Sequence, residues 1–321
     1  MTMADSPVFV HLFFMDGVGL GGPDPAVNPF AAARLPHLSD LLGPEWYLAG
    51  RGRITTPRAS LAPTDANLGL PGRPQSATGQ AAILTGRNVP ALVGEHYGPK
   101  PNEAVAAVIR QGTLFHEVSA AGWPAALITP YPERYFEAIA SGRRLLSAVP
   151  LAASSAGLPL MGVDDLRAGR AVSPDFTGQG WRDHLGYGDV PLLSLTEAGQ
   201  RIAAIAAGYP FSFFEHWPTD QAGHRGTLDE AVAHLEAIDV VLGGLLSAWD
   251  DERGLLIITS DHGNLEEKGH RQHTRNAVAT ILVGRDHAAS AASIHSLTDI
   301  APVVRRGLGL PEPAYRSATA P

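Results

Sequence analysis

Gly254-Leu255-Leu256-Ile257-Ile258-Thr259-Ser260-Asp261-His262-Gly263-Asn264 is the stretch on which the fold reading turns. Its first half is an apolar run that opens on glycine and is too short for an ordinary helix, so it reads as a strand buried on both faces. Asp261 and His262 then fall at the carboxyl end of that strand, where α/β sheets place their chemistry. Side chains alternate along a continuing strand, so the two can face one ligand only if the chain turns there. Gly263-Asn264 supplies that turn. Taken alone, Asp-His reads better as a hydrogen-bonded loop pair than as a functional one. The weight comes from the other polar residues that follow other apolar runs.

Working outward, Val8–Met15 reads as a second doubly buried strand that delivers Asp16-Gly17-Val18-Gly19. Neither the dinucleotide fingerprint nor Walker A is present there, so Asp16 is read as functional and the glycines as its turn. Ala125–Thr129 and Ala277–Gly284 read as strands. So does Phe211–Trp217, which empties into Thr219-Asp220-Gln221-Ala222-Gly223-His224. Asp220 and His224, four apart, fall on one face of a helical turn. Pro74-Gln75-Ser76-Ala77-Thr78-Gly79-Gln80 leads into an apolar run and reads as a helix start, whose N–H groups favour a phosphate; Ser76 as a simple N-cap is the alternative. Helical patterns cover 35–43, 102–111, 113–121, 196–207 and 227–249, and a closing helix starts at Thr298. Strands alternating with helices predict a three-layer α/β/α sandwich with a largely parallel central sheet. One domain over 1–321 is expected, with a long loop at 50–75 and a small lid or loop-rich segment at about 130–195. The tail after Pro311 reads as loosely held.

Composition narrows the class. The chain has 321 residues, 45% of them hydrophobic and 17% charged, which describes a globular protein with a sizeable core. A formal net charge of −8 argues against nucleic acid or an anionic membrane as partner. With no cysteine, disulfides and thiolate metal sites are excluded. Met1–Pro7 shows no secretory pattern and Val8–Met15 is too short to span a bilayer, so a cytoplasmic protein is expected. The polar residues at strand ends (Asp16, Asp220, His224, Asp261 and His262), with His273 from the following loop and Ser76, form an oxygen-and-nitrogen set suited to zinc or manganese.

Met15-Asp16-Gly17, Ser76-Ala77-Thr78-Gly79, Asp220-Gln221-Ala222-Gly223-His224, Ser260-Asp261-His262-Gly263-Asn264 and His273-Thr274-Arg275-Asn276 follow one another in a specific order. In this the chain resembles the alkaline phosphatase superfamily, in particular its cofactor-independent phosphoglycerate mutase and phosphopentomutase branch. The resemblance implies two divalent ions, zinc or manganese with magnesium as the alternative. Asp16, Ser76, Asp261 and His262 would surround one, and Asp220, His224 and His273 the other. Ser76 would be the nucleophile, with Thr78 its runner-up, and His270 the runner-up for His273. Thr78, Gly79 and Arg275 would bind phosphate, with Arg73, Arg87 and Lys268 as further cations. The branch usually has His where Gln80 stands, and it carries a separate inserted cap that this chain leaves no room for beyond 130–195. Hydrolysis of a small phosphate ester through a phosphoserine is therefore expected over mutase chemistry. A phosphodiesterase or nucleotide pyrophosphatase, a phosphomutase and a non-catalytic metal-binding protein are the alternatives.

Overall fold

The computed structural model describes residues 8–313. Met1–Pro7 and most of the tail after Pro311 lie outside the described residues. The strands are β1 (Phe9–Met15), β2 (Ile54–Thr55), β3 (Ala59–Thr64), β4 (Ala125–Leu127), β5 (Phe211–His216), β6 (Gly254–Thr259) and β7 (Val278–Gly284). They form one sheet in the order β2-β3-β7-β6-β1-β5-β4. β1 is an interior strand parallel to both β5 and β6, and β4 is parallel to β5. β6–β7, β7–β3 and β3–β2 are antiparallel, so the sheet is mixed, with only β7 and β2 running against the common direction.

The reversal at β7 has a simple cause. Residues 260–277 contain no helix, and a parallel return would need a crossover. The chain therefore doubles back over the carboxyl end of β6. The carboxyl ends of β1, β3, β5 and β6 and the start of β7 all lie along one edge, and every motif singled out above begins there.

Both faces of the sheet are covered. Val10, Leu12 and Phe14 of β1 join one core with the helices Ser76–Thr85, Glu103–Arg110, Leu114–Ala120, Ala148–Ser155 and Ile300–Leu308. Phe9, Phe13 and Met15 join the other with Pro36–Leu42, Leu195–Ala206 and Leu228–Ala248. This alternation is what a strand buried on two sides requires. Leu228–Ala248 has the length and apolarity of a membrane span, but here Leu235, Ile238, Leu242 and Leu245 pack it against the sheet.

One expectation needs correction. Residues 50–75, expected as loop, carry β2 and β3. Ala-Ser-Leu-Ala-Pro-Thr of β3 lacks an apolar run, and Pro63 argues against a strand interior. It is accommodated because β2 pairs only with Ser60 and Leu61, leaving β3 itself at the sheet edge beside Pro63. The 130–195 segment, expected as a small lid or loop-rich stretch, carries the short helices Glu133–Ala140, Ala148–Ser155, Val163–Arg167 and Gln179–Leu185 between its loops. Ala148, Val149, Ala152 and Ala153 are fully buried, so the second of these belongs to the body of the domain. Its small, unpatterned side chains gave no helical period to read.

Candidate metal centre

β1 ends at Met15 and hands Asp16 to the sheet edge, where the chain turns through Gly17 at φ +71°. A Cβ at Gly17 would stand 2.7 Å from Asp220 Oδ1, so this glycine serves both the turn and the close approach. The turn after β6 is held by Ser260, whose Oγ accepts from the Val18 amide at 2.8 Å and donates to the His262 carbonyl at 3.0 Å. Asp261 and His262 thereby reach the same space, as the turn at Gly263-Asn264 was expected to allow. Asp220 and His224 lie on the short helix Pro218–His224, which Thr219 ties to the Asp16 carbonyl through a 2.6 Å hydrogen bond. Ser76 opens the helix Ser76–Thr85.

The seven predicted residues converge. His262 Nε2 lies 3.0 Å from Ser76 Oγ, 3.3 Å from Asp16 Oδ1 and 3.6 Å from Asp261 Oδ2. His224 Nε2 and His273 Nε2 are 3.1 Å apart, and lie 3.4 Å from Asp220 Oδ2 and 3.6 Å from Asp220 Oδ1 respectively. The His262 and His273 rings stack at 3.7 Å. Donor atoms of Asp16, Asp261 and His262 lie within 4.8 Å of one another, as do those of Asp220, His262 and His273. His262 is thus shared between the two groups, where the sequence reading gave it to the first alone.

The donor set fits divalent metal ions. His273 Nδ1 faces the Pro74 carbonyl at 2.8 Å, His224 Nδ1 the Arg271 carbonyl at 2.9 Å and His262 Nδ1 the Gly263 carbonyl at 3.3 Å. Carbonyls only accept, so each ring keeps its proton on Nδ1 and turns the Nε2 lone pair inward, as metal-ligating histidines do. Nε2 of His224 then meets Nε2 of His273 acceptor to acceptor. Asp16 Oδ1 is likewise buried without a donor. Burial and the neighbouring Asp261 and Asp220 charges hold the Asp16 carboxyl well above its usual range. Burial and Asp220 push Asp261 up to about 7, and burial pushes His262 down to about 3. Converging lone pairs and crowded carboxylates are what a cation offsets.

The supporting residues were mostly not foreseen. Glu266 is buried, and its carboxylate accepts from the Gly19 and Asn264 amides at 2.9 and 2.8 Å and from Asn276 Nδ2 at 3.0 Å. Thr274 Oγ1 donates to it as well. One carboxylate therefore ties together the loops that follow β1 and β6. Asn264 Nδ2 donates to Asp220 Oδ1 at 2.7 Å. Gln80 Nε2 donates to Asp16 Oδ2 and Asp261 Oδ2, both at 3.2 Å.

A cavity of about 430 Å³ opens above Ser76, lined also by Arg73, Asp220, His224, Arg271 and His273. Several expected residues lie elsewhere. The Thr78 amide donates to the Tyr97 carbonyl at 3.1 Å, and its hydroxyl lies 3.2 Å from the Gln75 carbonyl. The Gly79 amide closes the first turn onto Gln75 at 2.9 Å. Ser76 and Ala77 are therefore the first-turn amides left without a protein acceptor among the described residues. Arg275 turns away to Asn67 Oδ1 at 3.0 Å, while Arg271, which was not singled out, lines the cavity. Lys268 donates to the Ala222 and Gly223 carbonyls at the end of helix Pro218–His224, Arg87 pairs with Gln111, and exposed His270 pairs with Glu267.

Residues 194–312 match the family described as the metalloenzyme superfamily. Among curated proteins, the 2,3-bisphosphoglycerate-independent phosphoglycerate mutase of Thiobacillus denitrificans is 36% identical over 136 residues, covering 40% of this chain and 26% of the relative. That of Dinoroseobacter shibae is 40% identical over 131 residues, covering 38% and 26%. The aligned stretch is thus about a quarter of the length of these relatives. Among solved structures, the PH0037 protein from Pyrococcus horikoshii superposes with a TM-score of 0.53 at 14% identity, covering 96% of this chain and 98% of that one. A TAB5 alkaline phosphatase variant with Mg bound gives 0.51 at 13% identity, covering 96% and 99%. At such identities these likenesses establish a shared fold, and no more.

Proposed function

We propose that this chain is an alkaline phosphatase-like metalloenzyme and hydrolyses small phosphate monoesters with two divalent ions and a phosphoserine at Ser76. The observation that carries the reading is the position of Ser76 Oγ, at a helix start on the cavity floor and 3.0 Å from the nitrogen shared by both donor groups. Asp16, Asp261, His262 and Ser76 would hold one ion and Asp220, His224 and His273 the other, with His262 within reach of both. Zinc or manganese suits this mixed nitrogen and oxygen set, with magnesium as the alternative. Such ions, when bound, acidify the serine hydroxyl and offset charge on the transferring phosphoryl group.

The chain's own residues do the rest. Ser76 Oγ bonds to phosphorus as the ester P–O bond breaks and the alcohol leaves. Water then attacks the phosphoserine, freeing inorganic phosphate and restoring the hydroxyl. The Ser76 and Ala77 amides, at the positive end of their helix, and the guanidinium groups of Arg73 and Arg271 hold the nonbridging oxygens.

Mutase chemistry is the second reading, favoured by the names of the curated relatives. Against it stands the cavity lining, to which no residue of 130–195 contributes. A mutase must retain its dephosphorylated substrate behind a cover that excludes water. Mass spectrometry of enzyme quenched during turnover tests the central step. Phosphate is expected on Ser76, and Ser76→Ala should lower turnover by more than about 10³-fold while the protein stays folded. Label on Thr78, or full activity in Ser76→Ala, would overturn the assignment.

A further inference from the structure

Gln80 stands one residue after Gly79, on the first turn of the helix that Ser76 opens, and is buried. Its single amide nitrogen reaches two carboxylates at once, Asp16 Oδ2 and Asp261 Oδ2, each at 3.2 Å. Only a primary amide or a cationic group offers two protons on one nitrogen, and the amide does so without adding charge. The orientation is fixed by its surroundings. Turned over, the carbonyl would face both carboxylates, so the donors point inward and Oε1 is left buried without a partner. A buried amide with an orphaned oxygen is unfavourable by itself, so its donor end must be worth more than its acceptor end costs.

We infer that Gln80 is a positioning residue that fixes the spread between Asp16 and Asp261 and so sets the affinity of the first ion far more than that of the second. This rests on the two-ion reading given above. Gly79 makes the arrangement sterically attainable, since a Cβ there would stand 2.9 Å from Asp261 Cβ and from its carbonyl oxygen. The helix therefore packs directly against the Asp261 backbone, and Gln80 spans the gap to β1. An uncharged clamp also leaves both carboxylates their full charge for a divalent ion, where a protonated imidazole at this position would compete with it. Asp220, His224 and His273 of the second group are held instead by Asn264 and by the Arg271 and Pro74 carbonyls.

The test is a calorimetric titration of the chelator-treated full chain with Mn²⁺. Two binding steps are expected, one removed by Asp16→Asn and the other by His224→Ala, which assigns them. Gln80→Met, which keeps length and bulk but has no donor, should weaken the Asp16-dependent step about 10- to 100-fold, and Gln80→Ala at least as much. The His224-dependent step, which feels Gln80 only through the shared His262, should weaken by no more than a few fold. Thermal unfolding of the ion-free variants checks that both remain folded. Two steps in the parent with the first unchanged in both Gln80 variants, or with both steps weakened alike, would overturn the role of Gln80 and leave the two-ion reading standing. No Mn²⁺ bound by the parent would overturn the two-ion reading and this inference with it.

Discussion

A methyl group at Gly79 would meet Asp261 through backbone as well as side chain, and backbone cannot swing aside. Gly79→Ala should therefore destabilise the protein by about 1–3 kcal/mol, the range for overpacking a tight core site. It should also slow phosphate release, because Ser76 and Gln80 sit on the displaced turn. Urea unfolding and turnover, measured together, check this; a variant with the parent's midpoint and rate would show that the helix has room to move. At this scale the sequence was informative where a residue type alone restricts the chemistry. Asp16, Asp220, His224, Asp261, His262 and His273 could be picked out as candidate ligands at strand ends and in a loop, and Ser76 as a helix start. It was uninformative about direction. Nothing in His273-Thr274-Arg275 says that Arg275 turns to Asn67 while Arg271 faces the cavity. Glu266 was missed because its partners, Gly19, Thr274 and Asn276, come together only in the folded chain.

Among the elements, the strands of the sheet centre were legible as short apolar runs. β3 was not, because a strand next to the edge can carry Ser, Pro and Thr. Nor were the short helices between 133 and 185, where Pro, Gly and small residues interrupt the pattern. β1 itself hides a polar residue. His11 is fully buried, with Nδ1 2.8 Å from Ser212 Oγ on β5 and Nε2 without a partner. Burial pushes its imidazole down to about 3, against an ordinary value near 6.5. Between these values the unfolded chain takes up a proton that the folded one refuses, so stability falls as pH falls. The loss from this group is at most about 1.4 kcal/mol for each pH unit below 6.5. The midpoint of urea unfolding should therefore drop more steeply from pH 6.5 to 5 in the parent than in His11→Gln. Parallel curves would mean that His11 is not held neutral in the fold.

For the whole molecule, the question is whether phosphate leaves. The 130–195 helices add to the body, with Ala148–Ser155 inside one core and Leu166, Trp181 and Val190 forming a small cluster of their own. None of them lines the cavity above Ser76, which on the proposed mechanism would leave a phosphoserine there open to water. Small phosphomonoesters labelled in the phosphate should yield labelled inorganic phosphate, with little label moved to another hydroxyl of the same substrate. Efficient positional transfer without free phosphate would return the chain to the mutase reading. The sheet order has a consequence for synthesis as well. β1 is translated first, yet its neighbours are residues 211–216 on one side and 254–259 on the other. A ribosome must make most of the chain before Phe9–Met15, apolar on both faces, finds either partner. During that interval the strand is an exposed sticky edge, the kind of segment that chaperones shield and that aggregates without them. The order in which the chain emerges thus makes an interior strand of the sheet a hazard of its biogenesis.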